Sequence, residues 1–334
     1  MDGGPTMILY WVAILALTIL LYILLDGFDL GVGILFGFTR NEDDRRRMLS
    51  SISPVWDGNE TWLVLAGTVL FGAFPRAYAT LLSTFYLPII LMLGALILRG
   101  VAFEFRYKTT SLRWLWDLGF SLGSFTAALV QGAAVGALVK GLPIQNGQYV
   151  GGTFGWFSPF ACLTGFGLCL GYSLLGAGWL VAKCEGPLRE RGYRLLPGLT
   201  VSVFVFLLIA FVYALVENFQ IMNRWIERPI LAIFPFVGVI ASIRLVRGIH
   251  YRRDLEPILM TALIFLSAFG TLAVSFWPYM VPFLLTIDQA AAPASSLRFM
   301  FWGAGLIVLP LILTYTATVY RVFRGKIVEE LNYH

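Results

Sequence analysis

Long apolar stretches, separated by short polar turns, dominate the chain. They run near residues 7–38, 55–74, 78–105, 115–139, 157–182, 196–216, 229–246, 257–276 and 299–323. About 20 apolar residues in a helix cross the roughly 30 Å hydrocarbon core of a bilayer. A helix bonds its backbone polar groups within its own segment, as lipid demands, so stretches of this length predict an all-α, polytopic membrane protein of about nine spans. No linker longer than about 25 residues parts these spans, so 1–334 reads as a single integral membrane domain. Pro88, Pro235 and Pro310 fall inside apolar stretches and predict kinks. The proline-rich segment 277–297 reads as a loop.

Composition agrees. Of the 334 residues 58% are hydrophobic and 13% charged, where soluble domains carry about 25% charged residues. The mean hydropathy is +0.79. A cytosolic enzyme, a disordered chain and a disulfide-stapled secreted domain are excluded. No Lys or Arg precedes Met7 and no small-residue cleavage site follows the first run, so that run is expected to remain as a span.

Charge position sets an orientation. With nine spans, the loops after spans 1, 3, 5 and 7 and the tail share one side. They hold 19 of the 24 Lys and Arg residues, leaving Arg76, Lys140, Arg224, Arg228 and Arg298 opposite. The positive-inside rule then puts the N-terminus outside and the C-terminus in the cytoplasm. The net charge of +5 is explained by this bias and implies no nucleic-acid partner.

Metal chemistry has few donors. Cys162, Cys169 and Cys184 form no CxxC pair and read as packing thiols. The two histidines, His250 and His334, cannot build a bis-histidine haem site at mid-membrane.

Ionisable residues in spans are the functional candidates, because charge in hydrocarbon is costly. Asp26 and Asp29 are three apart and share a helix face. Gly27 and Gly31 beside them, then Gly33 and Gly37, form a seam open to close helix approach. The alternative is a wet cytoplasmic helix end, since a helix over 7–38 would be about 48 Å long. Trp56, Asp57, Glu60 and Thr61 open the second span, where a helix N-terminus favours anions. They read either as capping acids with interfacial tryptophans or as a proton-conducting string. Arg99 at the end of span 3 faces the same side, available to Asp26, Asp29 or Asp57, or snorkelling to the interface. Gln131 reads as one interhelical hydrogen bond and Glu217 as solvated. The glycines of 165–178 are packing glycines rather than a nucleotide fingerprint.

Three strings carry a family resemblance. Asp26-Gly27-Phe28-Asp29-Leu30-Gly31-Val32-Gly33, Trp56-Asp57-Gly58-Asn59-Glu60-Thr61-Trp62-Leu63 and Arg99-Gly100-Val101-Ala102-Phe103-Glu104-Phe105-Arg106 resemble subunit II of cytochrome bd-type quinol oxidases. Trp116-Asp117 and the tail strings Thr314-Tyr315-Thr316 and Gly325-Lys326-Ile327 agree, so the likeness runs nearly end to end. The compact loops and the Arg-Gly form of the third string lean towards the cyanide-insensitive branch.

The resemblance implies two four-helix bundles plus one peripheral helix. It implies a bacterial inner-membrane complex that oxidises quinol and reduces dioxygen to water in aerobic respiration. Two b-type haems and a d-type or third b-type haem would sit in the partner, subunit I, with none ligated by this chain. Some members add a structural quinone or a small single-span accessory subunit. Carried over by position, Asp57 would belong to a cytoplasmic proton path. Asp26, Asp29, Trp56, Glu60 and Thr61 would line or brace that path, with Arg99 as charge partner. Trp62 matches a tryptophan at the lateral mouth of an oxygen route. One rival is a cation-coupled secondary transporter using the intramembrane acids. Another is an assembly subunit that only stabilises a catalytic partner.

Overall fold

Helices occupy every apolar stretch, each satisfying its backbone hydrogen bonds within its own segment as lipid demands. The computed structural model describes residues 4–109, 111–145, 148–217 and 225–327. In chain order the helices are α1 (Gly4–Gly37), α2 (Glu42–Ile52), α3 (Trp56–Ala73), α4 (Pro75–Lys108), α5 (Arg113–Lys140), α6 (Pro159–Lys183) and α7 (Gly186–Glu217). Then come α8 (Ile233–His250), after a 3-10 turn at Pro229–Ala232, and α9 (Glu256–Phe276). A short α10 (Ile287–Ala290) precedes the last helix, α11 (Ala294–Val322), which carries a π-helical stretch at Phe301–Val308.

Eight of these are long and apolar enough to cross a membrane. The expected second span is α3. It is helical over 18 residues, but Asp57, Asn59 and Glu60 at its head leave it too polar to count by that standard. The expectation of nine therefore stands at eight such helices plus α3.

Two rings of four helices make up the architecture. In the first, α1 packs on α3, α3 on α4, α4 on α5 and α5 back on α1. In the second, α6, α7, α8 and α9 close in the same way. The rings join where α6 lies against α1 and α5. That makes α6 the most enclosed helix, with 72% of its most apolar window buried against 11% for α7 and for α8. The last helix lies outside both rings. Its Val319 and Tyr320 touch the main apolar cluster, and its Leu309 packs with Tyr22 and Trp62.

The glycine seam explains the junction of the rings. A Cβ at Gly31 would lie 1.8 Å from the Tyr172 carbonyl oxygen, and one at Gly176 would lie 2.5 Å from the Gly31 backbone. Gly33 and Gly37 face another neighbour, the Ser124 and Ser121 side chains of α5. One glycine-rich helix thus touches two partners at backbone distance.

Several local expectations change. Near Pro88, α4 breaks regular geometry at Phe85, as the missing donor and ring clash require. Pro235 sits in the first turn of α8, where proline does not break a helix. At Pro310 the irregularity is the π-helical stretch just before it. The sixth span begins about ten residues earlier than its apolar run, so Pro197 lies inside α7. Segment 277–297 is not a plain loop. It holds a hairpin pairing Tyr279–Val281 with Leu285–Thr286, then α10 under a Thr286–Gln289 capping box. Glu217 has its side chain outside the described residues.

The α2 helix was not evident in the apolar pattern. Asn41 caps it, accepting from the Asp43 and Asp44 amides at 2.9 and 3.1 Å. Its charges tie it to the ends of α4 and α5. Arg45 Nη1 lies 2.7 Å from Asp117 Oδ2, Arg106 pairs with both Asp117 and Glu42, and Arg113 reaches Glu42 at 3.3 Å. A second network gathers on Asp254 between α8 and α9, which accepts from Arg189, Tyr193 and Lys326.

Candidate functional site

The site is built around α1, which runs unbroken through Asp26 and Asp29. Both side chains are wholly buried, so the helix end is not wet there. Their partners come from different helices. Asp26 Oδ1 accepts from Arg99 Nη2 of α4 at 2.8 Å. Arg99 is itself 1% exposed, so it does not snorkel. Asp29 Oδ2 accepts from Asn59 Nδ2 of α3 at 2.7 Å. The same amide donates to the Leu25 carbonyl at 3.2 Å, and the Tyr320 hydroxyl of α11 donates to Asn59 Oδ1 at 2.9 Å. Two spans, α3 and α4, and the last helix therefore converge on one turn of α1.

Burying one carboxylate–guanidinium pair demands good geometry and further hydrogen bonds, because desolvation opposes the Coulombic gain. Here Asp26 Oδ2, Asp29 Oδ1 and Arg99 Nη1 have no partner among the described residues. Such atoms are the natural ligands of internal water. Trp56 flanks the pair, with the Arg99 guanidinium 6.0 Å from its ring centroid, at the long end of cation–π range.

The other α3 residues point elsewhere. Asp57 and Thr61 are exposed, on the face of α3 turned away from Asp29, and the Thr61 hydroxyl bonds back to the Asp57 carbonyl at 3.2 Å. Glu60 is half-buried. Of the three acids open to Arg99, Asp26 is the one it pairs with. Trp62 is fully enclosed, packing with Tyr22 and Leu309. Its indole N–H has no partner among the described residues.

A second polar group lies further along α1. Gln131 Nε2 donates to the Tyr22 hydroxyl at 2.7 Å, and the Tyr172 hydroxyl donates to Gln131 Oε1 at 2.9 Å. Gln131 thus makes two interhelical bonds, joining α5 to α1 and α6. Sequence reasoning left Asn59, Tyr22, Tyr172 and Tyr320 off the site. Asn59 had a signal, its place between Asp57 and Glu60. The tyrosines had none, since an isolated Tyr in a span reads as packing.

An axial haem ligand is a His, Met, Cys or Tyr held within a pocket, and His250, the one described histidine, is exposed at the end of α8. Among the described residues no three His, Cys, Asp or Glu side chains gather as a metal site. Cys184 and Cys169 are buried and Cys162 half-buried, all as free thiols.

Fold and site define a multi-span helical membrane protein with a buried acid–arginine centre and an outward acid, Asp57, one helix away. The chain belongs to the cytochrome bd terminal oxidase subunit II family, whose model matches residues 7–323. It is similar to the cytochrome bd-I ubiquinol oxidase subunit 2 of Escherichia coli K12, at 30% identity over 96% of this chain and 95% of that protein. It is also similar to the cytochrome bd ubiquinol oxidase subunit 2 of Bacillus subtilis, at 30% identity over 95% of this chain and 96% of that protein. A chain of the bd oxidase from Geobacillus thermodenitrificans shares the fold, with TM-score 0.77 and 18% identity over 95% of this chain and 98% of that one. The secondary-transporter reading finds no support in these relatives, and the unbroken α1 lacks the interrupted helix a coupling-ion site uses.

Proposed function

We propose that this chain serves a quinol:oxygen oxidoreductase by bracing the haem-bearing subunit I and by guiding protons to it from the cytoplasm. The outward acid of α3, Asp57, with the Thr61 hydroxyl beside it, receives protons at the face the partner covers. Behind them Asp26, Asp29 and Arg99 hold a charged interior with polar atoms left over for water. Glu60 and Trp56 line the step between, and Trp62 stands by the oxygen route. The haems, two b-type with a d-type or third b-type, belong to subunit I. A structural quinone and a single-span accessory subunit complete the assembly. The complex sits in the bacterial inner membrane, with its N-terminus periplasmic and its C-terminus cytoplasmic.

One observation carries this reading: Asp57 faces outward although α3 has a closed interior side where Asn59 bonds Asp29. An unpaired acid on the outer face of an intramembrane helix is costly unless a partner or a wet path meets it. The test is Asp57→Asn in the purified complex, following quinol-dependent oxygen uptake and the haem spectrum together. Turnover several-fold slower with haem content unchanged is expected. Full activity would remove Asp57 from the path, and loss of haem would make it an assembly residue.

A further inference from the structure

The last residues of α11 and the segment after it fold back as a strap over the end of α6. Three bonds hold it there. Lys183 Nζ donates to the Phe323 carbonyl at 2.6 Å, the Ile327 amide to the Lys183 carbonyl at 2.9 Å, and Lys326 Nζ to the Cys184 carbonyl at 3.4 Å. Gly325 turns the strap at φ +101°, a left-handed conformation that glycine adopts without strain.

Beneath the strap is a cavity of about 240 Å³. A water molecule's share of liquid volume is about 30 Å³, so the space takes something much larger than one water. Its lining divides by chemistry. Lys183, Arg324 and Lys326 bring positive charge, and no carboxylate lines it among the described residues. Pro54, Val55, Trp179, Val322 and Phe323 make an apolar wall.

The charges are unevenly matched. Lys326 is paired with Asp254 at 2.5 Å. Lys183 has a carbonyl and the Trp179 ring, 5.0 Å away, but no carboxylate partner among the described residues. Arg324 makes no ion pair among them either. The wall also includes the start of α3, whose Val55 cap makes no side-chain hydrogen bond to the first turn. Helix N-termini attract anions. Two unmatched cations, an uncapped helix start and an apolar wall, all at one end of the bundle, favour an anion attached to apolar chains.

We propose that this cavity binds the phosphate of an anionic phospholipid, the headgroup held by Lys183 and Arg324 and the acyl chains lying along Trp179, Val322 and Phe323. Basic pockets between transmembrane helices on the cytoplasmic side hold anionic headgroups by this chemistry. Free phosphate offers the same group without the chains.

The test uses the whole purified oxidase complex, stripped of lipid with detergent. Its melting temperature is followed while phosphatidylglycerol, phosphatidylcholine or inorganic phosphate is added. Wild type is compared with Arg324→Gln and with Lys183→Gln/Arg324→Gln. Arg324→Gln breaks no side-chain bond among the described residues and leaves the three bonds of the strap in place. Phosphatidylglycerol is expected to raise the melting temperature of wild type and phosphatidylcholine to leave it unchanged. At about 1 kcal/mol per cation, affinity should fall about fivefold in the single variant and about thirtyfold in the double. Bound phosphatidylglycerol counted by mass spectrometry should fall in the same order. An equal response to inorganic phosphate would keep the site and assign it to the free anion. Equal phosphatidylglycerol responses in wild type and both variants, or none in wild type, would overturn the proposal.

Discussion

Arg99 and Asp26 form an ion pair of 2.8 Å between α4 and α1 in which both side chains are shut off from the surroundings. They are 73 positions apart, and neither has another charged partner among the described hydrogen bonds. The pair fixes the rotation of α1 within the first ring, and so decides which neighbours Asp29 and the glycines meet.

Removing one member of that pair should hurt more than removing both. Arg99→Gln leaves a buried carboxylate uncompensated, a loss of about 3–5 kcal/mol. The Asp26→Asn/Arg99→Gln double variant should recover a large part of it. Thermal melting of the purified complex across the four proteins measures the coupling. Strictly additive losses would show that the pair is not the unit that matters.

Tyr320→Phe should loosen the last helix and disturb Asn59 without emptying the site. The hydroxyl it loses donates to Asn59 Oδ1 at 2.9 Å, a bond contributing about 1 kcal/mol. Asn59→Leu is more severe, because Asp29 loses its amide donor. Oxygen uptake should therefore fall in the order wild type, Tyr320→Phe, Asn59→Leu. The reverse order would separate Asn59 from function.

The junction between the rings should tolerate no added carbon at Gly31. A Cβ there would lie 1.8 Å from the Tyr172 carbonyl oxygen, a rigid backbone atom. Overpacking of this kind costs about 1–3 kcal/mol or more. Gly67→Ala, where nothing lies within 4 Å, is the control. The yield of intact complex should drop for Gly31→Ala alone, and equal yields would mean that α1 and α6 can part freely.

The Asp254 network should make stability acid-sensitive. Burial pushes this carboxyl up, but hydrogen bonds from Arg189, Lys326 and Tyr193 overcome that and hold it well below the usual carboxylate range. A folded pKa below the unfolded value of about 3.9 adds stability that is complete above that value and is lost as pH falls toward the folded one. Wild type should lose melting temperature between about pH 5 and pH 3 more steeply than Asp254→Asn. Parallel curves would assign the acid limb to other groups.

The membrane class, the rough span positions and the acid-bearing strings were legible in the sequence. Apolar length and residue type depend on local order alone, and bilayer physics converts them directly into helices. The seam of Gly27 and Gly31 was legible for the same reason, as a spacing on one helix. What lay beyond it was which way each helix turns. Asp57 and Asn59 are two positions apart, yet Asn59 closes on Asp29 and Asp57 looks outward. Tyr22 and Tyr172 meet only through Gln131 of a third helix, and Tyr320 reaches Asn59 across 261 positions. A helix spreads its side chains around its full circumference, so spacing names a face but not the neighbour opposite. That neighbour is set by how two rings of helices pack, with α1 held by Arg99 on one side and by backbone contact with α6 on another.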